Sequence, residues 1–175
     1  MEKDFNLWYV WYDNSTVRWE YMGQKLECFI DGIVFASAQE RYIYVEVYKD
    51  NGFSYFYISF NNKKVICYNK KKNLISINNK PAISFKENLH DVDIGNDWHI
   101  YVLLNDYKMI LYNENGGYIR SIASPDGYSY FRFFSVEDYI SVICQGNTGN
   151  EDCYGRNDWK FTYKDNSWIK EGLVY

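Results

Sequence analysis

The apolar stretches of this chain are all short, and nearly every one is closed by Gly, Asn, Asp or Pro. Runs such as "YIYVEVY" (42–48) and "YFYISF" (55–60) are rich in β-branched and aromatic residues and alternate well enough to bury one face. That pattern predicts strands, since such residues fit a pleated, half-buried surface and the runs are too short for ordinary helices. The 19 Tyr and 6 Trp of an aromatic content of 21% strengthen the reading. Expected strands cover 7–12, 16–21, 25–30, 33–38, 41–48, 53–60, 64–69, 73–77, 82–85, 91–94, 98–104, 107–112, 118–122, 128–134, 138–144, 159–164 and 167–174. The expected fold is all-β, a single domain over 1–175, built as an antiparallel meander. One break is expected at "FKENLHDVDIGND", where Phe85, Leu89 and Val92 stand at helical spacing over one turn, so that a short helix or an ordered loop is predicted there.

Two phrases repeat: "ICYNKKKNLI" (66–75) and "ILYNENGGYI" (110–119). Each places an apolar strand end before a polar turn and a new apolar start, which is a hairpin. Gly supplies positive φ in the second turn, and Asn does so in the first. Fainter copies at "WEYMGQKLE" (19–27) and "FTYKDNSWI" (161–169) put Tyr21, Tyr68, Tyr112 and Tyr163 at intervals of 47, 44 and 51 residues. A further echo, "GFSYFYISFNNKKVIC" (52–67) with "GYSYFRFFSVEDYISVIC" (127–144), has an interval of 75 and implies a different register. So many strands cannot stay in one open sheet; twist curls the sheet, splits it or divides it into blades. In its strand, turn, strand phrase and its spacing near 44 residues, the chain resembles a β-propeller repeat. The resemblance implies about four four-stranded groups around an axis, with the last strand completing the first group. A β-sandwich or barrel is the alternative.

The net charge of −4, from 23 acidic and 19 basic side chains, gives no positive field for a phosphate backbone, so no nucleic acid is expected as partner. The start "MEKDFNLWYVWYDN" carries Asp4 and a short apolar run that does not fit a secretory segment. No stretch is long and apolar enough to span a membrane as a helix. These features predict a cytoplasmic chain whose Cys28, Cys67, Cys144 and Cys153 are reduced, with Cys144 and Cys153 the pair nearest in sequence. With no CxxC pair, structural zinc is not expected.

The phrase "DVDIGND" looks like a calcium loop in Asp91, Asp93 and Asp97, flanked by His90 and His99. Gly95 replaces one oxygen ligand and no Glu closes it, so a strand with Val92 and Ile94 inward is expected and no metal site. His90 and His99 are the imidazoles available for nucleophilic chemistry, and no serine occupies a Gly-x-Ser-x-Gly turn. Cys153 lies beside Glu151 and Asp152, neighbours that disfavour a thiolate. Lys63, Lys64, Lys70, Lys71 and Lys72 read as solvated turn tips that guard strand edges. No phosphate-cradling glycine motif occurs, and no cofactor is expected.

The longest irregular stretch is "QGNTGNEDCYGRND" (145–158), where a few residues would make a hairpin turn. Loops of that length are commonly functional. Glu151, Asp152, Tyr154, Arg156 and Asp158 offer the mixture of charge and aromatic anchor found at interfaces, with Asp126 and Tyr128 expected beside them. The sequence therefore points to a non-enzymatic module binding another protein, of the small acidic inhibitor or immunity type. A carbohydrate-binding module using exposed aromatics is the alternative, and a carboxylate-dependent hydrolase is a third reading.

Overall fold

A computed structural model describes residues 7–174, so the first six residues of the start read above for an export signal lie outside the described residues. All seventeen expected strands are present, with limits within two residues of those expected. Of the short helix or ordered loop anticipated around Phe85, Leu89 and Val92, the loop is what forms, over 85–90, with strand from Asp91. The His90 amide already donates to the Leu103 carbonyl at 2.8 Å, so pairing extends the backbone before a helical turn can close. No helix among the described residues is long and apolar enough to cross a membrane.

Composition predicts one domain; the contacts divide the chain into two compact units, Met1–Ser84 and Phe85–Tyr175. The cause is local pairing. Within every sheet the neighbouring strands are consecutive in sequence, and each unit closes a core of its own.

In the first unit β1 (Leu7–Tyr12), β2 (Thr16–Tyr21) and β3 (Gln24–Phe29) form a three-stranded sheet. β4 (Ile33–Ala38), β5 (Ile43–Lys49), β6 (Gly52–Ile58), β7 (Val65–Asn69), β8 (Leu74–Ile77) and β9 (Lys80–Ser84) form a six-stranded one. Alternation aims Ile43, Val45 and Val47 of β5 inward, where they meet Val17 and Trp19 of β2. Burying each such side chain contributes about 1.5–3 kcal/mol. The Trp19 indole is 1% exposed and donates to the Phe60 carbonyl at 2.7 Å, satisfying its single donor.

The second unit holds two four-stranded sheets. β10 (Asp91–Ile94), β11 (Ile100–Asn105), β12 (Lys108–Tyr112) and β13 (Tyr118–Ala123) make one. β14 (Tyr128–Ser135), β15 (Ile140–Gly146), β16 (Asp158–Lys164) and β17 (Ser167–Leu173) make the other. Leu103, Met109 and Ile122 from the first pack with Tyr130, Val142 and Phe161 from the second. The Asp91 carboxylate accepts the Phe133 amide at 2.8 Å and ties β10 to β14.

Grouping by fours is thus seen in the second unit, and the first has three and six. β17 pairs with β16 at the end of its own sheet. A hairpin at Asp165 and Asn166, both at positive φ, returns β17 directly onto β16. In this unit Tyr112 and Tyr163 both lie on third strands that turn into fourth ones. Gly52 lies on the third strand of six and Gly127 immediately precedes the first of four, so that echo is not a sheet repeat.

Both full copies of the repeated phrase are hairpins. Asn69 accepts the Lys72 amide at 2.8 Å, and Asn113 accepts the Gly117 amide at 2.8 Å, a side chain standing in for a backbone turn acceptor in each. The left-handed residue is Asn73 (φ 49) in the first and Gly116 (φ 84), one place earlier, in the second. The fainter copies use two-residue turns with positive φ at both positions, Met22 with Gly23 and Asp165 with Asn166. Such turns match the twist of the strands that they join.

Candidate functional site

The long connection is shorter than the sequence suggests. Gly146 pairs with Tyr128, and Gln145 pairs with Asp158, so the strands run on and leave 147–157 as the loop. Those residues are held in place. The Asn147 amide and the Asn150 side chain donate to the Gly127 carbonyl at 2.8 and 3.0 Å, and the Trp159 indole donates to the Asn150 carbonyl at 3.0 Å. At the base the Asn157 side chain donates to the Gly146 carbonyl at 2.9 Å.

The outer half of the loop is organised by Asp152. Its carboxylate accepts the Tyr154 amide at 2.9 Å, the Arg156 amide at 2.7 Å and the Arg156 guanidinium at 2.6 Å. Burial of this side chain works to raise its pKa, and the Arg156 amide, the Arg156 guanidinium and the Tyr154 amide outweigh it and hold the pKa below the ordinary value. Asp152 is therefore internal to the loop, where the sequence suggested a partner contact. Its product is the placement of Tyr154, 80% exposed, with the Arg156 guanidinium 5.2 Å from its ring. Glu151 is exposed and accepts the Gly149 amide at 2.9 Å.

Two other expected contact residues are placed differently. Asp158 is half-buried on β16, its carboxylate engaged by the Gln145 side chain at 3.0 Å. Tyr128 is 9% exposed and packs edge-on against Phe161 at 4.8 Å. Both belong to strands, whose pairing turned them inward. Asp126 is exposed on the link between β13 and β14, joined to the loop through Gly127.

Tyr128 and Asp126 line a cavity of about 560 Å³ between the β13 end and the β16–β17 hairpin. The sequence reading missed its other walls, Phe161, Tyr163, Trp168 and Lys170. Phe161 and Tyr163 share a face by strand alternation, and that was the available signal; nothing local marks Lys170. Its ammonium lies 3.4 Å from the Trp159 ring centroid and 2.6 Å from the Tyr128 hydroxyl. Aromatic faces and a phenol hold this charge, an environment that suits an acidic group arriving from outside.

The calcium-like phrase is dispersed. Val92 and Ile94 point inward as expected, Asp91 is bonded to Phe133, and Asp93 accepts the Ile94 amide at 2.8 Å. Among the described residues no three His, Cys, Asp or Glu side chains come together to hold a metal. The imidazoles of His90 and His99 face carboxylates, Asp106 at 3.6 Å and Asp97 at 2.7 Å respectively. Cys28, Cys67, Cys144 and Cys153 are free thiols, and Cys153 is exposed in the loop. Burial pushes the thiols of Cys67 and Cys144 up to about 12. No protein-family model matches this chain, and a search of curated proteins finds no match to it.

Proposed function

We propose that this chain is a cytoplasmic, non-enzymatic interaction module that binds another protein through the loop 147–157 and the neighbouring Asp126. The observation that carries the reading is the exposed Tyr154, set on a loop in which the Asp152 carboxylate accepts the Tyr154 and Arg156 amides and the Arg156 guanidinium. An aromatic anchor held in place before binding loses little entropy on association, which is the character of a binding hot spot. Glu151, Asp126 and the net charge of −4 favour a basic partner surface, as a small acidic inhibitor of immunity type would meet. The same reading takes the meandering sheets as blades of a propeller-like repeat, a scaffold that carries its binding loops on one rim.

The test places a photo-activatable aromatic residue at position 154 and, as a control, at the exposed Tyr118. The expected result is a partner captured from 154 and not from 118, whose purified form binds Tyr154→Ala roughly 30-fold more weakly than the native chain. Equal affinity for the two proteins would remove the loop from the interface. A second reading, carbohydrate binding, draws on the exposed rings of Tyr48 and Phe53, 5.0 Å apart on the six-stranded sheet. Retention of one glycan class on an array, lost in a Tyr48→Ala variant, is its test.

A further inference from the structure

The first unit carries a cavity of about 600 Å³ that arises from unequal sheets. Strands lie about 4.8 Å apart, so three strands cannot cover the inner face of six. Pairing rows on that face show the change. Ile43, Ile58 and Val65 form an apolar row under the core, and four residues further along β5 the row is Val47, Ser54 and Asn69. The next pair is Lys49 and Gly52.

Small and polar side chains thus replace core residues where the cavity opens. Gly52 is not at positive φ, so its backbone does not require glycine; a Cβ there would come within 3.1 Å of the Lys71 stem. Glycine lets that stem lie across the end of β6. The Lys71 ammonium bonds the Asp50 carbonyl at 2.8 Å, and Lys72 makes no ion pair among the described residues. Lys49 also lines the mouth and is paired with Asp31. Three ammonium groups against the carboxylates of Asp31 and Asp50 leave this mouth positive in a chain whose net charge is −4.

Within, Ile30, Phe56 and Val65 supply an apolar wall. The Asn69 amide donates to the Ser54 hydroxyl at 2.8 Å, which leaves the Ser54 proton to be donated to an occupant. The volume falls in the range of small-molecule sites and is too small for a folded domain.

We propose that this cavity binds a small amphiphilic anion, an aryl or short acyl chain carrying a carboxylate or similar head. The apolar body lies against Phe56 and Val65, and the head meets Ser54, Lys71 and Lys72. The site is separate from the loop of the second unit, and it gives a role to lysines that otherwise read as solvated turn tips.

The probe is anilinonaphthalene sulfonate, with neutral N-phenylnaphthylamine as its uncharged counterpart. Fluorescence titration of the native chain is expected to show saturable binding of the anion. Lys71→Gln/Lys72→Gln should weaken the anion about tenfold or more and leave the neutral compound within about threefold, because only the head loses partners. Ser54→Phe should fill the cavity and abolish binding of both. Circular dichroism confirms the fold of each variant; the lysine pair is exposed, so that arm stands even where Ser54→Phe fails to fold. Absence of binding to the native chain, unchanged anion affinity in the lysine variant or in a folded Ser54→Phe, or equal affinity for the two probes overturns the proposal.

Discussion

Gly146→Ala should unfasten the loop from its strands while the sheets stay intact. Gly146 is buried at the last position of β15 and is not at positive φ, so alanine could adopt its backbone without strain. Space is the obstacle. A Cβ there would lie 2.7 Å from the Asn150 Cβ, 2.7 Å from the Asn157 Oδ1 and 2.9 Å from the Asn150 carbonyl oxygen. Contacts so short force movement, and the groups that must move are the ones that anchor the loop, since Asn150 holds both Trp159 and Gly127. Overpacking of this kind costs about 1–3 kcal/mol. A loss of about 2 kcal/mol lowers Tm by roughly 4–8 °C in a chain of this length. Gly155→Ala is the comparison. It has nothing within 4 Å of its Cβ position and φ +74, so it pays only the left-handed penalty, about 1–2 kcal/mol. Asparagine tolerates that conformation and should rescue position 155, yet it should be worse than alanine at 146. The assay is thermal unfolding together with amide exchange across 147–157. Stability within about 0.5 kcal/mol for Gly146→Ala, with unchanged exchange in the loop, would refute the steric argument.

Trp19→Phe keeps an aromatic ring in the first core and loses the bond to Phe60, so urea unfolding should show a loss of about 2 kcal/mol, against about 3–5 kcal/mol for Trp19→Ala; a phenylalanine variant as stable as native would mean that the bond and the indole volume contribute nothing. Asp13 should titrate at about 2, below its ordinary 3.8, because it accepts the Ser15 amide and the Arg18 guanidinium. A folded carboxylate with a depressed pKa contributes stability that is complete above 3.8 and is lost as pH falls from there through about 2, so Asp13→Asn should flatten acid sensitivity across that window. NMR titration of the carboxyl resonance checks the value, and a midpoint near 3.8 would show that the Asp13 turn is not formed in solution.

Strands and turns were written locally. Alternation over a few residues chose which side chains of β5 face inward, and Asn, Asp and Gly marked where φ turns positive, as at Asn73 and Asp165. The repeated phrase was legible for the same reason, since a hairpin is made by residues within about ten positions of one another. Sheet membership was not local. Whether β8 and β9 extend the sheet of β4 or begin another depends on which strand edge packing leaves open, and no residue in 74–84 carries that information. Tertiary structure alone therefore decided the partition into sheets of three, six, four and four strands, and with it the cavity that three strands leave uncovered. It also decided the environment of Lys170, whose aromatic cradle joins Tyr128 and Trp159 to a residue of β17. The loop 147–157 shows the boundary between the two: its length and its exposed Tyr154 could be read from the chain, whereas Asp152 turning inward to hold Arg156, and Gly146 leaving room for Asn150, follow from distances that only the folded chain sets.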